Sequence, residues 1–228
     1  MRVLAIDCAL DACAAAVLDS DAGSIIASET RIMVRGHAES LMPLIARVMD
    51  EAEIEFRDLG RIAVTVGPGS FTGLRVGISA ARGIALAARK PAIGLTTFAG
   101  LAAPHIAEDD TAPVVVAIDA RHGHVYMQVF GPGGRTLLAP RIATLREAAR
   151  AATIGPARIV GSAADLVAGS WPQGAPPPAL VDQRAAPDIA WIARLGAAAS
   201  EAEGPPKPLY LRAPDAQPQA AAARLPRR

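Results

Sequence analysis

The chain has 228 residues, a formal net charge of +1, 51% hydrophobic residues and only 4% aromatic ones. That length supports one large or two small domains with cores of Ala, Val, Leu and Ile. The near-neutral charge, with no basic run before the last few residues, argues against strong autonomous binding to nucleic acid. Cys8 and Cys13 are the only cysteines and form no C-x-x-C pair, which reads as free core thiols in a reducing compartment. Asp7 breaks the first apolar run too early for a signal peptide, and no later segment could span a bilayer, so the protein is expected in the cytoplasm.

Val3 to Ile6 reads as a buried strand, Asp7 to Asp11 as a turn, and Ala14 to Leu18 and Ser24 to Thr30 as two further strands. Ser40 to Glu51 follows helical spacing, with Leu41, Leu44, Ile45, Val48 and Met49 on one face and Pro43 placed in the first turn. Ile62 to Val66 is a buried strand, and Phe71 to Arg89 runs without a proline in helix-forming residues. A short strand at Ala92 to Leu95 and a helix capped by Thr96 or Thr97, reaching about Ala107, complete this series.

Pro113 opens a second series: Val114 to Ile118 is a buried strand ending in Asp119, Val125 to Phe130 is another, and Gly131-Pro132-Gly133-Gly134 turns into a third around Thr136 to Leu138. Leu4-Ala5-Ile6-Asp7 matches Val116-Ala117-Ile118-Asp119, and in each copy two more strands follow. The chain therefore reads as a duplicated βββ-helix-β-helix unit. This is an α/β protein of two lobes, residues 1–107 and 108–214, each a mixed sheet with flanking helices. A helix at Thr144 to Ala152, a strand at Arg158 to Val160 and a short helix at Ala163 to Val167 continue the second copy. A Pro-rich loop from Pro172 to Pro178 then leads to a helix from about Pro187 to Ala202, and Lys207 to Arg212 is extended. Residues 215–228 read as a disordered tail.

The stretch Gly67-Pro68-Gly69-Ser70-Phe71-Thr72-Gly73-Leu74-Arg75 is a strand-to-helix turn. Gly67 and Gly69 allow positive φ and close backbone approach, Pro68 fixes the turn, and Ser70 or Thr72 can cap the helix. A helix start with bare N–H groups beside glycines attracts anions, which makes Gly67, Gly69, Ser70, Phe71 and Thr72 a candidate nucleotide or anion loop. It is not a Walker loop, because Leu74 and Arg75 follow Gly73, and it is a poor dinucleotide fingerprint, because Arg89 and Lys90 stand where an acid is needed. The alternative is a glycine turn that only brings strand and helix together. In the helix behind it Gly73, Gly77, Ala81 and Ala85 recur every four residues, leaving one ridge almost bare. Either another protein's helix or the chain's own sheet packs there; Arg75, Arg82 and Arg89 rule out a membrane span.

Asp7 and Asp119 end central strands, where α/β sheets place ligand groups. The hairpins after them, Cys8-Ala9-Leu10 and Ala120-Arg121-His122, lack the glycine-plus-hydroxyl pattern that lets a phosphate approach. Hydrolysis is not expected, and the aspartates read as turn caps. A metal site can be drawn from Asp119, His122 and His124, but no further ligand is evident, and His37 reads as a polar surface or interface residue. No Ser/His/Asp triad is present, and Cys8 has no basic neighbour to activate it.

Asp7 after an apolar strand, His37 with Glu39, Leu41 and Pro43, the Gly67 to Arg75 string, Asp119-Ala120-Arg121 and Tyr210-Leu211-Arg212 together resemble the TsaB (YeaZ) family, up to about Arg212. The resemblance implies a two-lobed actin/Hsp70-like (ASKHA) fold. It implies a non-catalytic scaffold and dimerisation subunit in the biosynthesis of N6-threonylcarbamoyladenosine beside the tRNA anticodon. The implied partners are a homologous catalytic subunit, TsaD, met through N-terminal-lobe helices, a TsaE-like ATPase, and a second copy in a homodimer; tRNA is met only through the complex. Carried onto this sequence, the interface comprises His37, Leu41, Leu44, Gly73, Arg75, Val76, Gly77, Ala80 and Ala81, and Gly77→Leu is expected to abolish pairing without disturbing the fold. No cofactor or metal is required, and ATP or ADP is a candidate ligand at the partner junction. Cys8, Ala9 and Leu10 replace the family's more usual Thr-Ser-Thr, and the partner's metal-binding His pair is not matched. An older label in that family, glycoprotease-like peptidase, has no support in these residues. The alternative from another class is an actin-like ATPase or small-molecule kinase.

Overall fold

The computed structural model describes residues 1–200 and 204–212; the far end of the last expected helix, Glu201 and Ala202, and the tail from 215 to 228 lie outside the described residues. β1 (Arg2–Asp7), β2 (Ala12–Asp19), β3 (Ser24–Ile32), β4 (Arg61–Gly67) and β5 (Ala92–Thr96) form one sheet in the order β3-β2-β1-β4-β5. β6 (Val114–Asp119), β7 (His124–Phe130), β8 (Thr136–Thr144), β9 (Arg158–Gly161) and β10 (Leu180–Gln183) form a second in the order β10-β9-β6-β7-β8. In each sheet the first strand pairs antiparallel with the second and parallel with the fourth, so the duplication extends to whole sheets. Strand β10 is missing from the sequence reading, because prolines precede it and Val181-Asp182-Gln183 shows no apolar alternation.

Helices α1 (His37–Glu51) and α2 (Phe71–Ala88) cover one face of the first sheet. α3 (Thr97–Glu108) runs between the two sheets' cores, and α4 (Leu145–Ala151) and α5 (Ala164–Ala168) cover the second sheet. α1 starts three residues before the apolar periodicity does, so Pro43 lies in its second turn instead of its first. The ring there is on the exposed side, and only the Glu39 carbonyl loses its helical donor.

The lobe boundaries need correction in one respect. α6 (Ile189–Ala198) follows the second sheet in sequence but packs on the free face of the first. Ile189, Ile192 and Ala193 bury against Val3, Ala5, Ala14, Ala16 and Ala63. These alanines leave the sheet nearly flat, and Gly196 completes the fit: a Cβ there would fall 2.3 Å from the Ala63 Cβ. Both faces of β1 and β4 are therefore covered, which accounts for their uninterrupted apolar composition. Among the described residues, no helix is long and apolar enough to cross a membrane.

Gly196→Leu is expected to lower stability by about 1–3 kcal/mol through overpacking, read as a lower urea midpoint, whereas exposed Ala198→Leu should leave the midpoint unchanged. Equal midpoints for the two variants would contradict this docking of α6.

Candidate functional site

β4 passes into α2 through Pro68, Gly69 and Ser70, and the Gly67–Pro68 peptide bond is cis. Ser70 Oγ accepts the Gly73 N–H at 3.2 Å and caps α2. Gly67 holds φ +113°, a conformation that disfavours a side chain. Gly69 has no such φ; its requirement is space, since a Cβ would fall 2.0 Å from the Ala9 carbonyl oxygen. At Gly73 a Cβ would fall 2.0 Å from the Cys8 carbonyl oxygen. The Ser70 N–H donates to the Ala9 carbonyl at 2.7 Å. The loop thus docks, backbone to backbone, on the turn after β1 where a nucleotide-binding hairpin would present its amides. Gly67, Gly69 and Ser70 serve this packing, while Phe71 and Thr72 remain exposed beyond it.

Asp7 is fully buried beneath the same turn. Its Oδ1 accepts the Ala9 N–H at 3.0 Å and the Thr65 hydroxyl at 2.5 Å, and Oδ2 has no partner among the described residues. Burial pushes this carboxyl above its ordinary value, outweighing the Thr65 and Ala9 hydrogen bonds and the nearby His37 that favour ionisation. Asp119 is exposed; it accepts the Arg121 N–H at 2.7 Å, and its own N–H donates to Ser162 Oγ at 3.0 Å. Each aspartate caps the residue two places on, as expected. Cys8 Sγ lies 3.6 Å from Cys13 Sγ, and this contact and burial push the Cys8 thiol up.

The chain itself fills the cleft between the lobes. Leu10 packs against both the first core and the one around Phe98 and Ile118, and the Asp11 N–H donates to the Ala185 carbonyl at 3.3 Å. From the C-terminal side, the Leu209 N–H donates to the Val66 carbonyl at 2.7 Å, Leu211 joins the inter-lobe core, and Arg212 Nη1 donates to the Ala120 carbonyl at 3.2 Å. These residues do not fit a nucleotide phosphate in the cleft. Nor do they fit a metal: His37 Nε2 faces the Leu10 carbonyl at 3.2 Å and His124 Nδ1 the His122 carbonyl at 2.9 Å. Among the described residues, no three His, Cys, Asp or Glu side chains converge on one point.

The expected partner face requires a larger correction. His37, Leu41 and Leu44 are buried beneath α1, and Gly73, Gly77 and Ala81 beneath α2, so these positions face the chain's own core instead of the surface. The bare ridge lets α2 lie close on its own sheet: a Cβ at Gly77 would stand 3.6 Å from Cys8 Cβ and 3.7 Å from Val64 Cγ2. Arg75 is exposed, and Val76 and Ala80 are half-buried. The open side of α2 is formed by Thr72, Val76, Ser79, Gly83 and Leu86, with Leu86 82% exposed and nothing within 4 Å of a Cβ at Gly83. Ser79, Gly83 and Leu86 are absent from the sequence reading. The available signal was their position on the side of Arg75 and Arg82, opposite the small ridge. At the start of this face the Phe71 and Tyr210 rings lie 5.3 Å apart, and the Arg75 guanidinium sits 3.9 Å above Phe71.

Residues 24–174 match the family model described as TsaD, tRNA N6-adenosine threonylcarbamoyltransferase. The tRNA threonylcarbamoyladenosine biosynthesis protein TsaB of Escherichia coli is 35% identical over 55% of this chain and 53% of that protein. YeaZ from Pseudomonas aeruginosa superposes with a TM-score of 0.73 at 28% identity, over 92% of this chain and 99% of that one. The chain belongs to the TsaB/YeaZ family. It spans about half the length of the curated TsaB relatives it matches. An uncharacterized Mycobacterium tuberculosis protein is 32% identical over 96% of this chain and 95% of its own length. The two-lobed sheets are those of the actin-like ASKHA architecture shared with YeaZ.

Two expectations test this TsaB/YeaZ site. Asp7 binds its proton more tightly folded than unfolded, so its contribution to stability is complete below the ordinary carboxylate value and is lost as pH rises through the raised one. The urea midpoint should fall across that window in the wild type and fall less in Asp7→Asn; equal slopes would contradict the assignment. Gly77→Leu should unsettle α2 on the sheet by about 1–3 kcal/mol, whereas Gly83→Leu, in open space on a helix interior, should raise the thermal midpoint slightly. The reverse ranking would restore the small ridge as the open face.

Proposed function

We propose that this chain is a non-catalytic scaffold subunit in tRNA N6-threonylcarbamoyladenosine biosynthesis in the cytoplasm. It pairs through the outer faces of α1 and α2 with a TsaD-like catalytic subunit, and a TsaE-like ATPase completes the assembly. The observation that carries this reading is the division of α2 into two sides. One side, with the glycine loop, closes over the degenerate hairpin, and the other offers an exposed apolar knob, Leu86, beside an open position, Gly83. A helix from another subunit can seat against such a knob and hole. The family model is named for a transferase, yet the hairpin after β1 has neither glycine nor hydroxyl and its Ala9 carbonyl is already engaged. Contact with tRNA is assigned to the assembled complex, and no nucleotide of its own is needed. A nucleotide at the junction would meet Phe71, Thr72, Arg75, Val76 and Ser79 on this side.

The test is reconstitution of the full chain with the TsaD-like subunit of the same organism. Leu86→Arg is expected to weaken pairing by about thirtyfold, as for a central interface residue, with an unchanged thermal midpoint. Pairing that survives this change, or no pairing at all, would contradict the assignment. The competing ATPase or kinase reading requires phosphate release from ATP and magnesium by the isolated chain, and none is expected.

A further inference from the structure

β1 pairs antiparallel with β2, with Asp7 opposite Ala14. The same register puts Cys8 opposite Cys13, one step nearer the turn that joins the two strands. Directly opposite residues of an antiparallel pair point to the same face with Cα atoms about 4.5–5.5 Å apart, inside the range of about 4.4–6.8 Å that a disulfide spans. Both thiols are free and buried, and Cys8 Sγ donates to Cys13 Sγ at 3.6 Å. A sulfur–sulfur bond of about 2.0 Å therefore needs an approach of about 1.5 Å, within the reach of side-chain rotation. Gly77 leaves space for it, since even a Cβ there would stand 3.6 Å from Cys8 Cβ. The shared hydrogen also separates the roles of the two sulfurs. Accepting it holds the Cys13 thiol below its ordinary value, against burial and the nearby Asp7, while the Cys8 thiol is pushed up. Cys13 is the sulfur that ionises, and Cys8 keeps its proton until the second step.

We propose that Cys8 and Cys13 form a modification site, a dithiol that a peroxide oxidises to an intramolecular disulfide, locking the turn on which the glycine loop docks. Cys13 Sγ, as the thiolate, attacks one oxygen of hydrogen peroxide and the O–O bond breaks. The departing hydroxide takes up the proton that Cys13 gave up and leaves as water, and Cys13 becomes a sulfenic acid. Cys8 Sγ then attacks that sulfur, the S–O bond breaks, and the hydroxyl leaves with the Cys8 proton as a second water. The dithiol has given two electrons and two protons, and one peroxide has become two waters. The new bond closes a ring that contains Ala9, whose carbonyl accepts the Ser70 N–H, and Cys8, whose carbonyl lies against Gly73. Oxidation thus acts on the footing of α2, whatever that helix pairs with.

Peptide mapping of the full chain tests the site. The tryptic peptide from Val3 to Arg31 contains both cysteines and no methionine. After the folded chain meets hydrogen peroxide, that peptide should be lighter by the two thiol hydrogens, and dithiothreitol should restore it. The larger aromatic disulfide reagent DTNB should leave both buried thiols unlabelled in the same folded chain. The oxidised chain should melt about 5 °C higher than the reduced one. A peptide that keeps both thiols, that carries sulfinic or sulfonic acid at either cysteine, or that forms the bond only in urea would overturn the proposal, and an equal or lower melting point would overturn the lock. Cys8→Ser keeps a donor beside Cys13 without a second sulfur, so oxidation there should stop at the Cys13 sulfenic acid, captured by dimedone as the chain is unfolded. A Cys13 that stays a thiol in that variant would contradict its role as the attacking sulfur.

Discussion

The rest of the structure depends on a backbone contact that leaves no room for a side chain. Gly69 and Gly73 lie against the carbonyl oxygens of Ala9 and Cys8, and the Ser70 N–H donates into the first of them. This contact fixes the start of α2 on the turn after β1, and everything beyond Ser70 follows in register. The small ridge of Gly73, Gly77 and Ala81 then lies on β1 and β4, and the arginines and Leu86 necessarily face outward. One close approach thus settles both what the helix covers and what it exposes.

The same contact occupies the turn after β1. Here the first hairpin is engaged by the glycine loop, its aspartate is buried, and Leu10 bridges the two cores. The C-terminal segment adds a strap from Val66 to Ala120. With α1 and α2 on one face and α6 on the other, both faces of the first sheet are covered, and the outer side of α2 stays exposed at Thr72, Ser79, Gly83 and Leu86. The filled inter-lobe seam and the exposed side of α2 both follow from the way the glycine loop docks on the turn after β1.

Much of this is legible in the sequence. The matching strands ending in Asp7 and Asp119 announce the duplication, and the string from Gly67 to Arg75 announces both the turn and the family. The side of α2 that meets water is not legible from small-residue spacing, because a bare ridge serves a sheet and a partner helix equally. The position of Arg75, Arg82 and Arg89 carried the missing information: charged side chains occupy the wet side of a helix whose other side is buried. His37 misleads for a related reason, since a polar residue at a helix start reads as surface, whereas here its ring reaches the Leu10 carbonyl. The return of α6 to the first lobe depends on the alanine-flat surface of β1, β2 and β4, which no local pattern in residues 189–198 reveals.

Hydrogen exchange at the Ser70 amide tests the central contact most directly. In the full chain that amide should be protected nearly as well as the amides of β1, and adding ADP with magnesium should leave its rate unchanged. Exchange at the rate of an open loop, or protection acquired only with ADP, would show that the glycine turn is a ligand cradle and would contradict the account.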